Sequence, residues 1–281
     1  MRKGNTISRN KTLYTKRKSE PLKKQVLFVF LFALVMVATP GVHAQNVILN
    51  KQGYNEQPYH FGFILAANTM NFSVKPVDNL NLYTWSKQQA PDLPNADAYK
   101  VLGITSSASP GFSVGILGNL LLAKYLDLRF IPSLSFGSRT LSYTIQAFNM
   151  AGTPAGTDTT FMVNKKVNST YLTFPLLFKY RSRRANNIGA YFIGGLNYSI
   201  DLAAVKKTKQ DSGTGEIKLK THDIGAEIGA GFDFYNTYFK LGVEAKMIFG
   251  LNNLVVDDNT LYSGSISQLH SKVFMLSFTF E

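Results

Sequence analysis

The sequence is 281 residues long, 45% hydrophobic and 13% aromatic, with a formal net charge of +13 and no cysteine. The lack of cysteine excludes disulfides, thiolate metal sites and a lipid-modified N-terminal cysteine. The charge excludes less than it suggests, because nine of the 30 Lys/Arg and one acid, Glu20, fall in residues 1–24.

That basic stretch is followed by a 12-residue apolar run, Val26–Val37, and then by T-P-G-V-H-A, with small residues at Val42 and Ala44. Basic, apolar, small is the order of an export signal, and the run is shorter than the ~20 residues of a helical span. We therefore expect residues 1–44 to be a signal peptide, 45–58 a short periplasmic N-terminal segment, and 59–281 the folded domain. Without residues 1–44 the chain keeps 21 Lys/Arg against 16 Asp/Glu, and +13 falls to +5. The remaining basic stretches, R-S-R-R at 181–184 and K-K-T-K at 206–209, are short. No nucleic-acid partner is expected from them.

From residue 60 onward the chain alternates with period two, the signature of strands with two unlike faces. Phe61, Phe63, Leu65 and Ala67 oppose His60, Gly62 and Asn68, and a second strand lies near Gly111–Gly118. Leu126, Leu128, Phe130, Leu134 and Phe136 oppose Asp127, Arg129, Ser133 and Ser135. Leu172, Phe174, Leu176, Phe178 and Tyr180 oppose Tyr171, Thr173 and Lys179, and Ile188–Ile200 repeats the split. Residues 222–234 place Ile224, Ala226, Ile228, Ala230, Phe232 and Phe234 against Asp223, Glu227, Asp233 and glycines. The segment Phe239–Phe249 mirrors it across Tyr235-Asn236-Thr237, and Val273–Phe280 closes the series with Phe274, Leu276, Phe278 and Phe280 on one face.

Eight strands result, and their connections alternate in length. Long ones cover about 74–109, 146–167, 203–220 and 251–271; short ones cover 119–124, 182–187 and 235–237. Long loops at one rim and short turns at the other are the layout of an outer-membrane barrel with its short turns in the periplasm. The expected fold is all-β, an eight-stranded antiparallel up-and-down transmembrane β-barrel, integral to the outer membrane and in contact with its lipids. A soluble barrel would expose its polar faces, yet the terminal strand offers solvent only Ser277 and Thr279 beside Val273 and Met275. Tyr180, Tyr191, Phe192, Tyr198, Phe234, Tyr235, Tyr238 and Phe239 lie near strand ends, where an interfacial girdle is expected.

Eight strands enclose an interior just wide enough for their own side chains. Asp127, Arg129, Asp223, Glu227, Asp233, Lys240, Glu244 and Lys246 fall on the inward face. Facing lipid, each Lys or Arg would cost up to ~2–4 kcal/mol near the midplane; inside, they can pair. We expect an ion-paired plug, with an ion or proton path as the alternative. Two features outside the lumen are candidate contacts. Arg181, Arg183 and Arg184 lie in an expected periplasmic turn, suited to an acidic partner or anionic lipid. Trp85, the only tryptophan, lies in the first long loop and is a candidate exposed anchor.

No catalytic, metal or cofactor site is expected. Of the histidines beyond residue 44, His60, His222 and His270, none has metal-ligand spacing, and no G-x-S-x-G elbow occurs. His222-Asp223 is the only pair a rim-type active site could recruit.

Several stretches resemble a known family: H-F-G-F-I-L-A-A-N-T-M-N-F (60–72), P-G-F-S-V-G-I-L-G-N-L-L-L-A-K-Y-L-D-L-R-F-I-P-S-L-S-F-G-S-R-T-L-S-Y (110–143), T-F-P-L-L-F-K-Y-R-S-R-R-A-N-N (173–187) and the terminal M-L-S-F-T-F-E. Together they are similar to the PorT-like outer-membrane proteins of the Bacteroidota. Members of that family include components required for the type IX secretion system and, in gliding species, for motility. The resemblance implies a non-enzymatic accessory of protein secretion, with protein partners in a secretion complex and no catalytic residues to carry over. The alternative is a stand-alone structural or adhesive barrel that works through its extracellular loops.

Overall fold

The computed structural model describes residues 48–148, 160–209 and 217–281; the expected signal peptide lies outside them. Ten strands follow in chain order: β1 (Tyr59–Pro76), β2 (Trp85–Ser86), β3 (Ala98–Ala123), β4 (Leu126–Phe130), β5 (Ser133–Phe148), β6 (Thr160–Arg181), β7 (Ile188–Asp201), β8 (His222–Tyr235), β9 (Lys240–Gly250) and β10 (Ile266–Phe280). Two helices, α1 (Leu202–Lys209) and α2 (Leu261–Gly264), lie in the connections.

All wall pairings are antiparallel, and β1 pairs with both β3 and β10, with Phe63 opposite Ile116 on one side and Phe280 on the other. The wall therefore closes into a ring, which leaves no edge strand with unpaired backbone groups in an apolar surround. The β4 and β5 segments act as one wall strand, both pairing with β3 and β6, interrupted at Ile131-Pro132. Pro132 has no N–H to give the ladder. Counting β4 and β5 together and setting aside the two-residue β2, the barrel has eight strands.

Side chains on the outside are apolar. Phe61, Ile116, Phe178, Phe192, Leu196, Ile228, Phe232, Phe274 and Phe278 are all well exposed, whereas Asp127, Arg129, Asp233, Lys240 and Glu244 are buried. An inside-out distribution of this kind suits lipid and not water. Tyr191 and Tyr235 depart from the expected girdle, since both are buried on the inner face.

At the long-loop rim the strands run further than their alternation suggests: β1 continues to Pro76, β3 starts at Ala98, β5 runs to Phe148 and β6 starts at Thr160. The cause is a change of phase. On β5 the outward positions Leu134 and Phe136 are apolar, but beyond Gly137 the apolar residues are Leu141, Tyr143, Ile145 and Ala147, all buried inside. Outward neighbours there become Ser138, Thr140, Ser142 and Thr144. The barrel turns right side out where it leaves the lipid.

Above the change of phase the inward residues meet the loops in an apolar cluster. Tyr99, Val101, Leu141, Tyr143, Ile145 and Val167 from the walls pack with Trp85, Ala90, Leu93, Leu254, Leu261 and Tyr262 from the connections. Each large side chain buried there contributes about 1.5–3 kcal/mol. This overturns the expectation of an exposed loop anchor: Trp85 is 6% exposed, because β2 pairs with β3 and lays the indole over that cluster.

The cap is latched by Asp92. Its Oδ2 lies 2.6 Å from Lys165 Nζ on β6 and accepts from the Tyr262 hydroxyl at 2.8 Å, while Lys165 sits over the Tyr262 ring at 4.3 Å. Partial burial would raise the Asp92 carboxyl, but the bonds from Lys165 and Tyr262 hold it below the usual carboxylate range. A depressed folded pKa stabilises the cap at all pH above the unfolded value near ~4, and that contribution is lost as pH falls through the folded value. We predict that Trp85 fluorescence, blue-shifted at neutral pH, shifts to the red below about pH 4. Asp92→Asn should remove that acid step and give a looser cap at neutral pH; an unchanged acid transition would show that the latch lies elsewhere.

Candidate functional site

Toward the short-turn rim the lumen is filled by charged side chains. Arg129 on β4 is fully buried; its guanidinium meets Glu244 of β9 at 2.7 Å and Glu281 at 3.0 Å. Glu281 also takes Lys240 at 2.8 Å. Lys179 of β6 meets Asp233 of β8 at 2.7 Å, and Arg181 meets Asp127 at 2.7 Å. Lys246 lies 3.2 Å from Glu227 and 3.6 Å from Glu244. Among the described residues the cluster balances five cations, Arg129, Lys179, Arg181, Lys240 and Lys246, against five carboxylates, Asp127, Glu227, Asp233, Glu244 and Glu281.

Arg129 and Glu244 lie on strands half a ring apart, so their contact crosses the lumen from wall to wall. Neutral side chains fill some of the remaining bonding sites. Asn119 accepts from Arg129 Nε at 3.2 Å and donates to Asp127 at 3.1 Å. The Tyr191 hydroxyl donates to Glu244 at 2.9 Å, and its ring lies 3.7 Å below Lys179 Nζ. Glycine makes the space for that tyrosine: a Cβ on Gly231 would stand 2.7 Å from its hydroxyl.

Seven of the eight inward charges named from the sequence lie in this cluster. Asp223 lies apart, lining a cavity of about 30 Å³ with Tyr171, Asn197, Ile248 and Met275. That is room for about one water, not for a substrate. Sequence reasoning missed Lys179, Arg181 and Glu281 as members, although Lys179 and Arg181 share the parity of Tyr171 and Thr173. It also missed Arg139, which is fully buried between the cluster and the cap. Arg139 donates to Ser271 at 3.1 Å, to Ser169 at 2.8 Å and to the Tyr171 hydroxyl, with its guanidinium 4.2 Å from the Phe72 ring.

The arginine turn is also corrected. Arg181 is spent on Asp127 inside the lumen. Arg184 lies over the Tyr235 ring at 3.7 Å and donates to the carbonyls of Asn50 at 2.8 Å and Lys51 at 3.2 Å. Only Arg183 is exposed. The partner of this turn is the chain's own N-terminal segment. Residues 48–57 run as a strap across the mouth, with Asn187 donating to the Ile48 carbonyl at 3.0 Å and the Tyr235 hydroxyl donating to Asn55 at 2.9 Å. Tyr54 stacks on His60 at 4.0 Å and lies under Lys240 Nζ at 4.9 Å, over the ion cluster.

His222 and Asp223 do not form a dyad. Adjacent strand residues point to opposite faces; His222 is exposed outside, bonded to the Tyr198 hydroxyl at 2.8 Å, and Asp223 is buried inside. Among the described residues no three His, Cys, Asp or Glu side chains are grouped to hold a metal.

Residues 50–256 match the profile of the family described as outer membrane protein beta-barrel domain. No curated protein matches the chain. Similar solved structures include Neisserial surface protein A, 12% identical, covering 79% of this chain and 98% of that one at a TM-score of 0.38. Another is OprG from Pseudomonas aeruginosa, 13% identical, covering 80% and 97% at 0.36. A third is the outer membrane protease OmpT from Escherichia coli, 10% identical, covering 80% and 96% at 0.31.

Two predictions follow from the cluster and the strap. Glu281→Gln leaves Arg129 and Lys240 short of a buried counter-charge and should cost about 3–5 kcal/mol, read as a lower denaturant midpoint for barrel unfolding in micelles. Adding Lys240→Met should recover part of that loss. Arg184→Ala removes the bonds to Asn50 and Lys51, at about 1 kcal/mol or more each. Trypsin should then cut after Lys51 about tenfold faster, with the barrel still intact on an unboiled gel.

Proposed function

The chain belongs to the outer membrane protein β-barrel domain family, and from that premise we propose that it is a non-enzymatic accessory of protein export across the outer membrane, of the type IX kind. It acts through its rims and partner proteins, not through its lumen. The observation that carries this reading is the contact of Arg129 with Glu244 and Glu281 across the barrel. An interior crossed by paired charges, strapped at one mouth and capped at the other, is no conduit for a polypeptide.

The protein lies in the outer membrane. The resemblance of residues 60–72, 110–143 and 173–187 to PorT-like proteins supports the export role, with a link to gliding motility in species that glide. His222 and Asp223, the pair a rim-type active site could recruit, face opposite sides of the wall. By the usual arrangement of such barrels the short-turn rim is periplasmic, which puts Arg183 within reach of an acidic periplasmic partner. The second reading, a stand-alone structural or adhesive barrel, is favoured by the firmly packed cap, which would present a fixed outer surface.

Deleting the gene and assaying the culture medium for exported proteins separates the two. Loss of those proteins, restored by the intact chain and reduced by Arg183→Glu at equal barrel abundance, is the expected result. Undiminished export on deletion would overturn the accessory role and leave the adhesive one.

A further inference from the structure

Above the change of phase, β3, β5 and β6 stand beyond the lipid belt as a three-stranded wall. Its inner face is the apolar cap, and its outer face continues upward from the lipid-facing surface of the same strands. Register sets the outer residues side by side: Ser107, Thr140 and Lys166 form one row, and Thr105, Ser142 and Asn164 the next. Gly103, Thr144 and Met162 form a third, Lys100, Gln146 and Thr160 a fourth, and Ser138 pairs with Asn168 below them.

No carboxylate stands on this face; its only charges are Lys100 and Lys166. Among the described residues the connections of the same rim do carry acids, Asp78, Asp92, Asp97, Asp257 and Asp258, whereas the outward face of this wall carries none. A wall bathed only in water has no reason to lack acids, since a mixed-sign surface is the ordinary soluble arrangement. One that adjoins anionic headgroups does, because each Lys near such a surface gains about 1 kcal/mol and each carboxylate is repelled.

We infer that the outward face of the β3–β5–β6 wall is a lateral platform for the phosphorylated sugar headgroups of outer-leaflet glycolipid. Lys100 and Lys166 meet phosphate, and the hydroxyl and amide rows exchange hydrogen bonds with sugar hydroxyls. One feature favours this occupant over a protein: the face, with Met162 as its most exposed apolar residue, is continuous with the lipid-facing belt, so a lipid seated on the belt brings its headgroup onto the polar rows. The inference rests on the orientation proposed above, with the long-loop rim outward, but the test does not depend on that orientation or on export.

The mature chain is placed in phosphatidylethanolamine nanodiscs with and without rough lipopolysaccharide, which enters both leaflets. Lipopolysaccharide retained through mild detergent extraction is then counted by native mass spectrometry. Thr140→Glu/Asn164→Glu/Lys166→Glu should retain about tenfold less than the unaltered chain. The control Lys218→Glu/Lys220→Glu, which changes net charge by the same amount in a connection off this wall, should match the unaltered chain. Folding is checked by heat-modifiable migration, and if the triple variant does not fold, Lys166→Ala should still retain several-fold less. No retention by the unaltered chain, or equal loss from variant and control, overturns the platform.

Discussion

Closure of the wall is the constraint on which the rest depends. In hydrocarbon every backbone N–H and C=O needs a partner within the protein, so β1 must find β10. Once it does, the inner faces of all eight strands are committed to a space that only their own side chains can fill. The long charged residues on β4, β6, β8 and β9 have nowhere else to go. Their survival there depends on balance: a lone buried charge costs several kcal/mol, and a pair offsets this only when its geometry and remaining hydrogen bonds are good. Asn119 and Tyr191 supply part of those remaining bonds, to Arg129, Asp127 and Glu244.

The plug is a specific arrangement as much as a stabilising one. Replacing buried ion pairs with packed apolar residues is often neutral or favourable for stability alone. Here two bridges link strands that are not neighbours in the wall, Arg129 to Glu244 and Lys179 to Asp233, so a slip in strand register would leave charges unmatched. Glu281 has the same property at the chain's last strand, where its carboxylate is claimed by Arg129 and Lys240 together.

Much of this could be read from the residues, and what could not has identifiable causes. The alternation from Phe61 to Phe280 gave the strand number, the order and the inward charges, because lipid enforces a strict split between faces. The extra-membrane strands were hidden because their alternation inverts. Leu141, Tyr143 and Ile145 have the opposite parity to Leu134 and Phe136, so a reader following one phase sees the strand end at Gly137. Trp85 and the 181–184 arginines were misplaced for another reason. Their partners, the 254–269 cluster, Asp127 and the Asn50–Lys51 carbonyls, are remote in sequence, and nothing local to a loop announces what folds onto it.

The change of phase also gives the apolar belt an uneven height. On β7 the outward apolar and small residues run from Ile188 to Ile200, while on β10 they run only from Phe274 to Phe280 before Lys272. At about 3.3 Å per residue these are roughly 40 Å and 20 Å along the strand, shortened further by strand tilt. A bilayer of uniform thickness cannot fit both sides. The membrane must thin beside the β1–β10 seam or the barrel must lean, and either response singles out the seam as the flank where lipid and protein have to adjust to each other.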